Sequence, residues 1–135
     1  MAAKDTPPTD EQRSQFRDLI RARRAELGLS LERFAERAVD PETGVTVKSG
    51  WIHRLEKGES VIPPEFPQLC ALAVASELPV ERLQDAAGQQ FHGVTAVWSA
   101  SGEAKAYVRQ LERLSAEQRA QLSRFLDTFA PPEGD

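Results

Sequence analysis

One cysteine, one methionine, one tyrosine and two histidines are all that this 135-residue sequence holds of those types. The single thiol, Cys70, has no partner for an internal disulfide, which sets aside the disulfide-stapled secreted frameworks. His53 and His92 stand at no ligand spacing from Cys70 or from a carboxylate cluster, so no zinc module is legible. No Gly-rich phosphate loop follows a strand-like run, and no Ser or Cys sits in a nucleophile motif. The expectation is a protein that is not an enzyme and carries no metal or cofactor. Apolar runs fall short of the roughly 20 residues that cross a bilayer, and no charged-then-apolar leader opens the chain. These absences point to a protein of a reducing cytoplasm with no membrane partner.

Positive charge is also scarce overall: the formal net charge is −4. Its distribution says more than its sum. Between Arg13 and Gly58 stand ten Lys/Arg against seven Asp/Glu, a surplus of three, so the remainder carries −7. That polarity suits a chain presenting one basic face to phosphates while its acidic part limits nonspecific attachment; ordinary scatter of surface charge is the plainer alternative.

At 40% hydrophobic residues, the chain can bury one core and a small appended element, not two full-sized domains. Residues 1–12, with Pro7-Pro8 and no apolar period, read as a disordered arm. Phe16, Leu19, Ile20 and Leu27 share one side of a first helix. After Gly28, Ser30 can cap a second helix, whose Leu31, Phe34, Ala35 and Ala38 fall at i, i+3, i+4 and i+7. Residues 39–46 read as a loop, with Asp40-Pro41 initiating a turn and Gly44 free to take positive φ. Val47, Trp51, Ile52 and Leu55 give a third helix its apolar side, capped by Thr46 or Ser49. Pro63-Pro64 leads into a fourth helix, where Pro67 is tolerable only in the first turn and Leu69 to Ala75 is apolar nearly all round. Cys70 reads as a buried small hydrophobe.

Two helices joined by a connector, Leu29-Ser30-x-x-x-Phe34-Ala35 followed by Ile52-x-x-Leu55-Glu56-x-Gly58, trace a helix-turn-helix. Over residues 16–87 the chain resembles the lambda-repressor/Cro-like, Xre-type helix-turn-helix proteins. A second anchor lies downstream: Leu69-Cys70-Ala71-Leu72-Ala73, then Leu78-Pro79-Val80-Glu81-Arg82-Leu83, is similar to the family's fourth and short fifth helices. The resemblance implies an all-α, five-helix domain over 13–87, belonging to a bacterial, nucleoid-associated transcription regulator that binds double-stranded DNA with its third helix in the major groove. It also implies DNA-binding roles for Lys48, Ser49, Gly50, His53, Arg54 and Lys57 on the third helix, with Arg24, Arg33 and Arg37 among the candidate phosphate contacts. Arg17 and Arg21 are further candidates of that kind. Glu56 is assigned to pairing within the domain. The sequence departs from the family in its long 39–46 connector, in Leu31 where relatives carry glutamine, and in Trp51 where a small polar residue is usual. Trp51 is expected to pack on that connector, with partial DNA contact as the other possibility.

Residues 88–130 form a C-terminal dimerisation or packing element, and 131–135 a disordered tail. Residues 93–99 can be a short strand or an arm. Glu103 to Leu114 shows helical spacing at Val108, Leu111 and Leu114, and Ser115-Ala116-Glu117-Gln118 is a capping box opening a last helix. Leu122, Phe125, Leu126 and Phe129 line that helix; with Val108 and Leu111 they are the expected homodimer interface, folding back onto the chain being the alternative. Two functions stand open. One is a dimeric, sequence-specific DNA-binding regulator. The other is an adaptor or antitoxin-like protein that keeps the fold but binds a protein partner.

Overall fold

The computed structural model describes residues 10–129; residues 1–9 of the expected disordered arm (1–12) and the whole expected tail (131–135) lie outside them. Six helices and one two-stranded hairpin run in the order α1 (Asp10–Leu27), α2 (Leu31–Arg37), α3 (Ser49–Glu56), α4 (Phe66–Ser76), α5 (Val80–His92), β1 (Thr95–Trp98), β2 (Lys105–Val108), a 3₁₀ turn (Leu111–Arg113) and α6 (Ala116–Asp127). They divide into two units between Phe91 and His92. Residues 10–12, expected in the arm, are already helical.

In the first unit α1 to α4 surround a core built on the anticipated faces. Phe16, Ile20, Phe34, Ile52, Leu72 and Leu83 are completely buried, each large apolar side chain contributing about 1.5–3 kcal/mol. Ser30 caps α2 as its sequence position predicts, its hydroxyl accepting from Arg33 N at 3.1 Å. At α4, Glu65 and Gln68 form a reciprocal capping box and Pro67 occupies the first turn. The helix ends at Glu77, which takes the left-handed conformation (φ 59°), and Leu78 N closes on Ala73 O at 3.2 Å. Cys70 is half-buried rather than enclosed.

The long connector between α2 and α3 is an ordered loop. Val39 and Thr46 form an antiparallel bridge, Asp40 N donates to Val45 O (2.9 Å) and Gly44 N to Asp40 O (2.8 Å). Inside it the Asp40 carboxylate accepts from Glu42 N (3.2 Å) and from the Thr43 hydroxyl (2.7 Å). This local satisfaction of polar groups lets eleven residues, 38–48, separate two helices without loose backbone. The expected cap at Thr46 or Ser49 is not used: α3 starts at Ser49 behind Lys48, which supplies no side-chain bond. The loop's own hydrogen bonds fix the entry to α3 instead.

Helix α5 is longer than the short closing helix anticipated and runs through Gly88 to His92. Phe91 meets the ring of Phe16 at 5.9 Å, and the Gln90 side chain accepts from Arg17 N at 2.7 Å. These tertiary contacts outweigh the ~1 kcal/mol cost of an interior glycine.

In the second unit β1 and β2 pair antiparallel, with Thr95 opposite Val108 and Trp98 opposite Lys105. Of the strand and the arm left open for 93–99, the strand is present, over Thr95–Trp98. The helical spacing expected over 103–114 is not: Val108 ends a strand, and Leu111 and Leu114 belong to a 3₁₀ turn and its cap. Apolar residues at intervals of three suit a helix, but the β-favouring Tyr107 and Val108, paired with Ala96 and Thr95, override that spacing. Helix α6 opens with the predicted Ser115–Gln118 capping box. Asp127 accepts from Ala100 N at 3.0 Å and so ties α6 to the hairpin turn.

Candidate nucleic-acid interface

Helix α3 has one buried side and one open side because its apolar residues recur at a helical interval. Ile52 and Leu55 are buried in the core, while Lys48, Gly50, His53, Arg54 and Lys57 are exposed and Ser49 is half-buried. Five of the six residues expected on α3 are thus exposed, and His53 and Lys57 line one cavity. A side chain at Gly50 would meet only the Arg54 guanidinium, at 3.7 Å. The domain's packing therefore does not require glycine there; its bareness leaves the outer surface of the first turn open beside Arg54.

Helix α3 is held from behind by an ion pair. Arg24 donates from Nε and Nη2 to the two oxygens of Glu56, both at 2.7 Å, and from Nη1 to Leu29 O at 2.8 Å. The Glu56 hydrogen bond raises the Arg24 pKa, against the opposing effect of burial. Glu56 thus has the internal role its position suggested. Arg24, expected among the phosphate contacts, commits three of its five donors inside the domain. Arg37 is likewise paired, with Glu77 across α4. Arg33 is exposed at the outer side of α2.

Trp51 does not pack on the 39–46 loop. Its indole Nε1 donates to Ile62 O at 3.2 Å and its ring stands edge-on to Phe16, centroids 6.5 Å apart. The large ring bridges α1 and the α3–α4 connector, a position that a small residue could not span.

A cavity of about 560 Å³ lies between α1, α2 and α3, lined by Arg17, Arg21, Leu31, His53 and Lys57 with the Arg24–Glu56 pair. Arg17, Arg21 and Arg24 stand at i, i+4 and i+7 of α1, so the signal for this cationic row was in the sequence. Its convergence with His53 and Lys57 was not, because it depends on how α3 crosses α1. Gly58 closes α3 at φ +80°, and a Cβ there would come within 2.8 Å of Arg17 Nη1. The positive φ is what favours glycine there, since the flexible end of Arg17 could move aside for a Cβ.

The expected dimer stripe divides. Leu126 is buried within its own unit; Val108, Leu111 and Leu122 are half-buried. Phe125 and Phe129 remain 58% and 62% exposed, their rings edge-to-face at 4.9 Å.

Among the described residues no three His, Cys, Asp or Glu side chains come together as a metal site, and no helix is long and apolar enough to cross a membrane. No curated protein and no solved structure matches the chain. A family model described as a helix-turn-helix domain matches residues 15–86, which run from within α1 through α2, the long connector, α3 and α4 to the first half of α5. With an α2–connector–α3 pair, a core-facing Ile52/Leu55 side and a basic outer surface inside that span, the chain belongs to the helix-turn-helix domain family, of the Xre/lambda-repressor-like type.

Proposed function

We propose that the protein is a dimeric, sequence-specific DNA-binding regulator of transcription that reads the major groove with α3. The observation that carries this is the two-sidedness of α3: Ile52, Leu55 and the Arg24–Glu56 pair fix its inner side, while Lys48, Ser49, Gly50, His53, Arg54 and Lys57 are presented together. Arg54, beside the bare Gly50, is the base-reading residue, since a guanidinium can donate in bidentate fashion to guanine O6 and N7. Arg33, Arg17, Arg21 and Lys57 supply phosphate contacts that set register without reading sequence.

A second copy is the partner of the C-terminal unit. Helix α6 exposes Phe125 and Phe129, and a unit of about 40 residues does not sustain itself on so small a core without help. Two linked domains then read half-sites about 34 Å apart, with avidity over either alone.

Binding to fragments of the protein's own promoter region at two salt concentrations, with the Arg54→Ala, His53→Ala variant alongside, tests this. Selective, salt-dependent binding that the variant loses supports it. Binding that ignores salt, or none from folded protein, rejects it in favour of a protein-partner adaptor.

A further inference from the structure

The eleven-residue connector does more than lengthen the path from α2 to α3: it walls off a second cavity, of about 360 Å³, against α4. One side is Asp40, Pro41, Glu42 and Thr43; the other is Phe66, Cys70 and Val74, with Val80 at the head of α5. The volume lies at the lower end of the roughly 300–1,000 Å³ of small-molecule sites. We propose that this cavity binds a small organic ammonium ion with an aromatic or aliphatic body.

Three features select that chemistry. Among the described residues that line the cavity, the only charged ones are the carboxylates of Asp40 and Glu42. An anionic ligand would meet like charge; an ammonium group finds its counter-charge at one end. Second, the Asp40 carboxylate is held in place by the Glu42 amide on one oxygen and the Thr43 hydroxyl on the other, with a further backbone bond from Thr43; a carboxylate has about four acceptor sites, so capacity remains toward one more donor. Third, the opposite wall is apolar and open: Phe66 is 54% exposed and Val74 46%. A ligand body laid there covers hydrophobic surface that the fold leaves wet, and the Phe66 ring face can receive a cation. The same connector ends at Lys48, directly before α3, so the site adjoins the segment that sets α3's first turn. It does not overlap the α3 surface, and its existence is independent of whether the protein reads DNA.

Cys70, the chain's only cysteine, lies in the wall and is half-buried. Its modification by a chromogenic disulfide reagent at mildly alkaline pH therefore reports occupancy in the intact protein. Tryptamine is the probe, and indolepropionate, which replaces its ammonium by a carboxylate, the control. Tryptamine is expected to slow Cys70 modification several-fold in a saturable manner, while indolepropionate leaves the rate unchanged. Glu42→Gln, which alters an exposed side chain and keeps the backbone N–H bond to Asp40, should weaken tryptamine about threefold relative to its own unliganded modification rate, as loss of one exposed charge contact does. Val74→Trp should fill the cavity and abolish the effect. Failure of tryptamine to protect, equal protection by the carboxylate, or protection surviving Val74→Trp overturns the assignment.

Discussion

Arg24 and Glu56 face each other across 32 residues of sequence with both guanidinium-to-carboxylate bonds at 2.7 Å, joining the last turn of the domain's first helix to the last turn of α3. The glutamate side chain is only 9% exposed and the arginine's 24%, so removing one partner strands a largely desolvated charge. Glu56→Gln should lower unfolding stability by about 2–3 kcal/mol in urea titration. An Arg24→Met, Glu56→Leu double variant should recover most of that loss. If the single and double variants are equally unstable, the pair is not what holds α3.

On the outer side of α3, base-reading and phosphate contacts separate by salt. Arg54→Ala should reduce discrimination between the preferred and a mismatched site by about 1–3 kcal/mol. Lys57→Ala should weaken all sequences alike and reduce the slope of log affinity against log salt by about 0.9. Gel-shift or anisotropy titrations at several salt concentrations measure both. An Arg54→Ala protein with undiminished selectivity would place the reader elsewhere.

Phe125 and Phe129 are the test of self-association. Replacing both with serine removes exposed apolar surface while leaving the buried Leu126 and the Ser115–Gln118 cap in place. Light scattering should then give a monomer mass where the parent gives a dimer, with helix content unchanged. A parent protein that is already monomeric at micromolar concentration would end this assignment.

Asp40 links the long loop to pH. The Thr43 hydroxyl, more than the backbone bonds from Glu42 and Thr43, holds its carboxyl below the ordinary carboxylate range, against the upward push of burial. A group whose folded pKa is depressed contributes stability above its unfolded pKa and loses it as pH falls through the folded one. Thr43→Val should therefore shift acid unfolding, followed by circular dichroism, to higher pH. An unchanged acid midpoint would show that the hydroxyl bond is not coupled to folding.

Much of this architecture was legible because the relevant signals are local. The Ser30 cap, the Ser115–Gln118 box, the position of Pro67 and the Phe16/Ile20/Phe34/Ile52/Leu55 faces each follow from spacing within one or two turns. What sequence left open involves partners distant in the chain. Whether Val108 is helical depends on Thr95 lying opposite it. Helix α5 continues through Gly88 because Phe16 and Arg17 receive its end. Arg24 was indistinguishable by composition from its neighbours Arg17 and Arg21, and only the path of α3 commits it to Glu56. Trp51 was referred to the nearest unusual loop, whereas its indole finds Ile62 on the other side.

The chain's two tryptophans fall one to each unit, and their surroundings differ. Trp51 is half-buried, with its indole N–H engaged and its ring beside Phe16; Trp98 is half-exposed on the hairpin, with the Lys105 ammonium 4.8 Å above its ring. The molecule thus carries its own pair of fluorophores, a blue-shifted one in the helix-turn-helix unit and a red-shifted one in the hairpin unit. Emission wavelength becomes a label of location: during melting, the colour lost first names the unit that opens first.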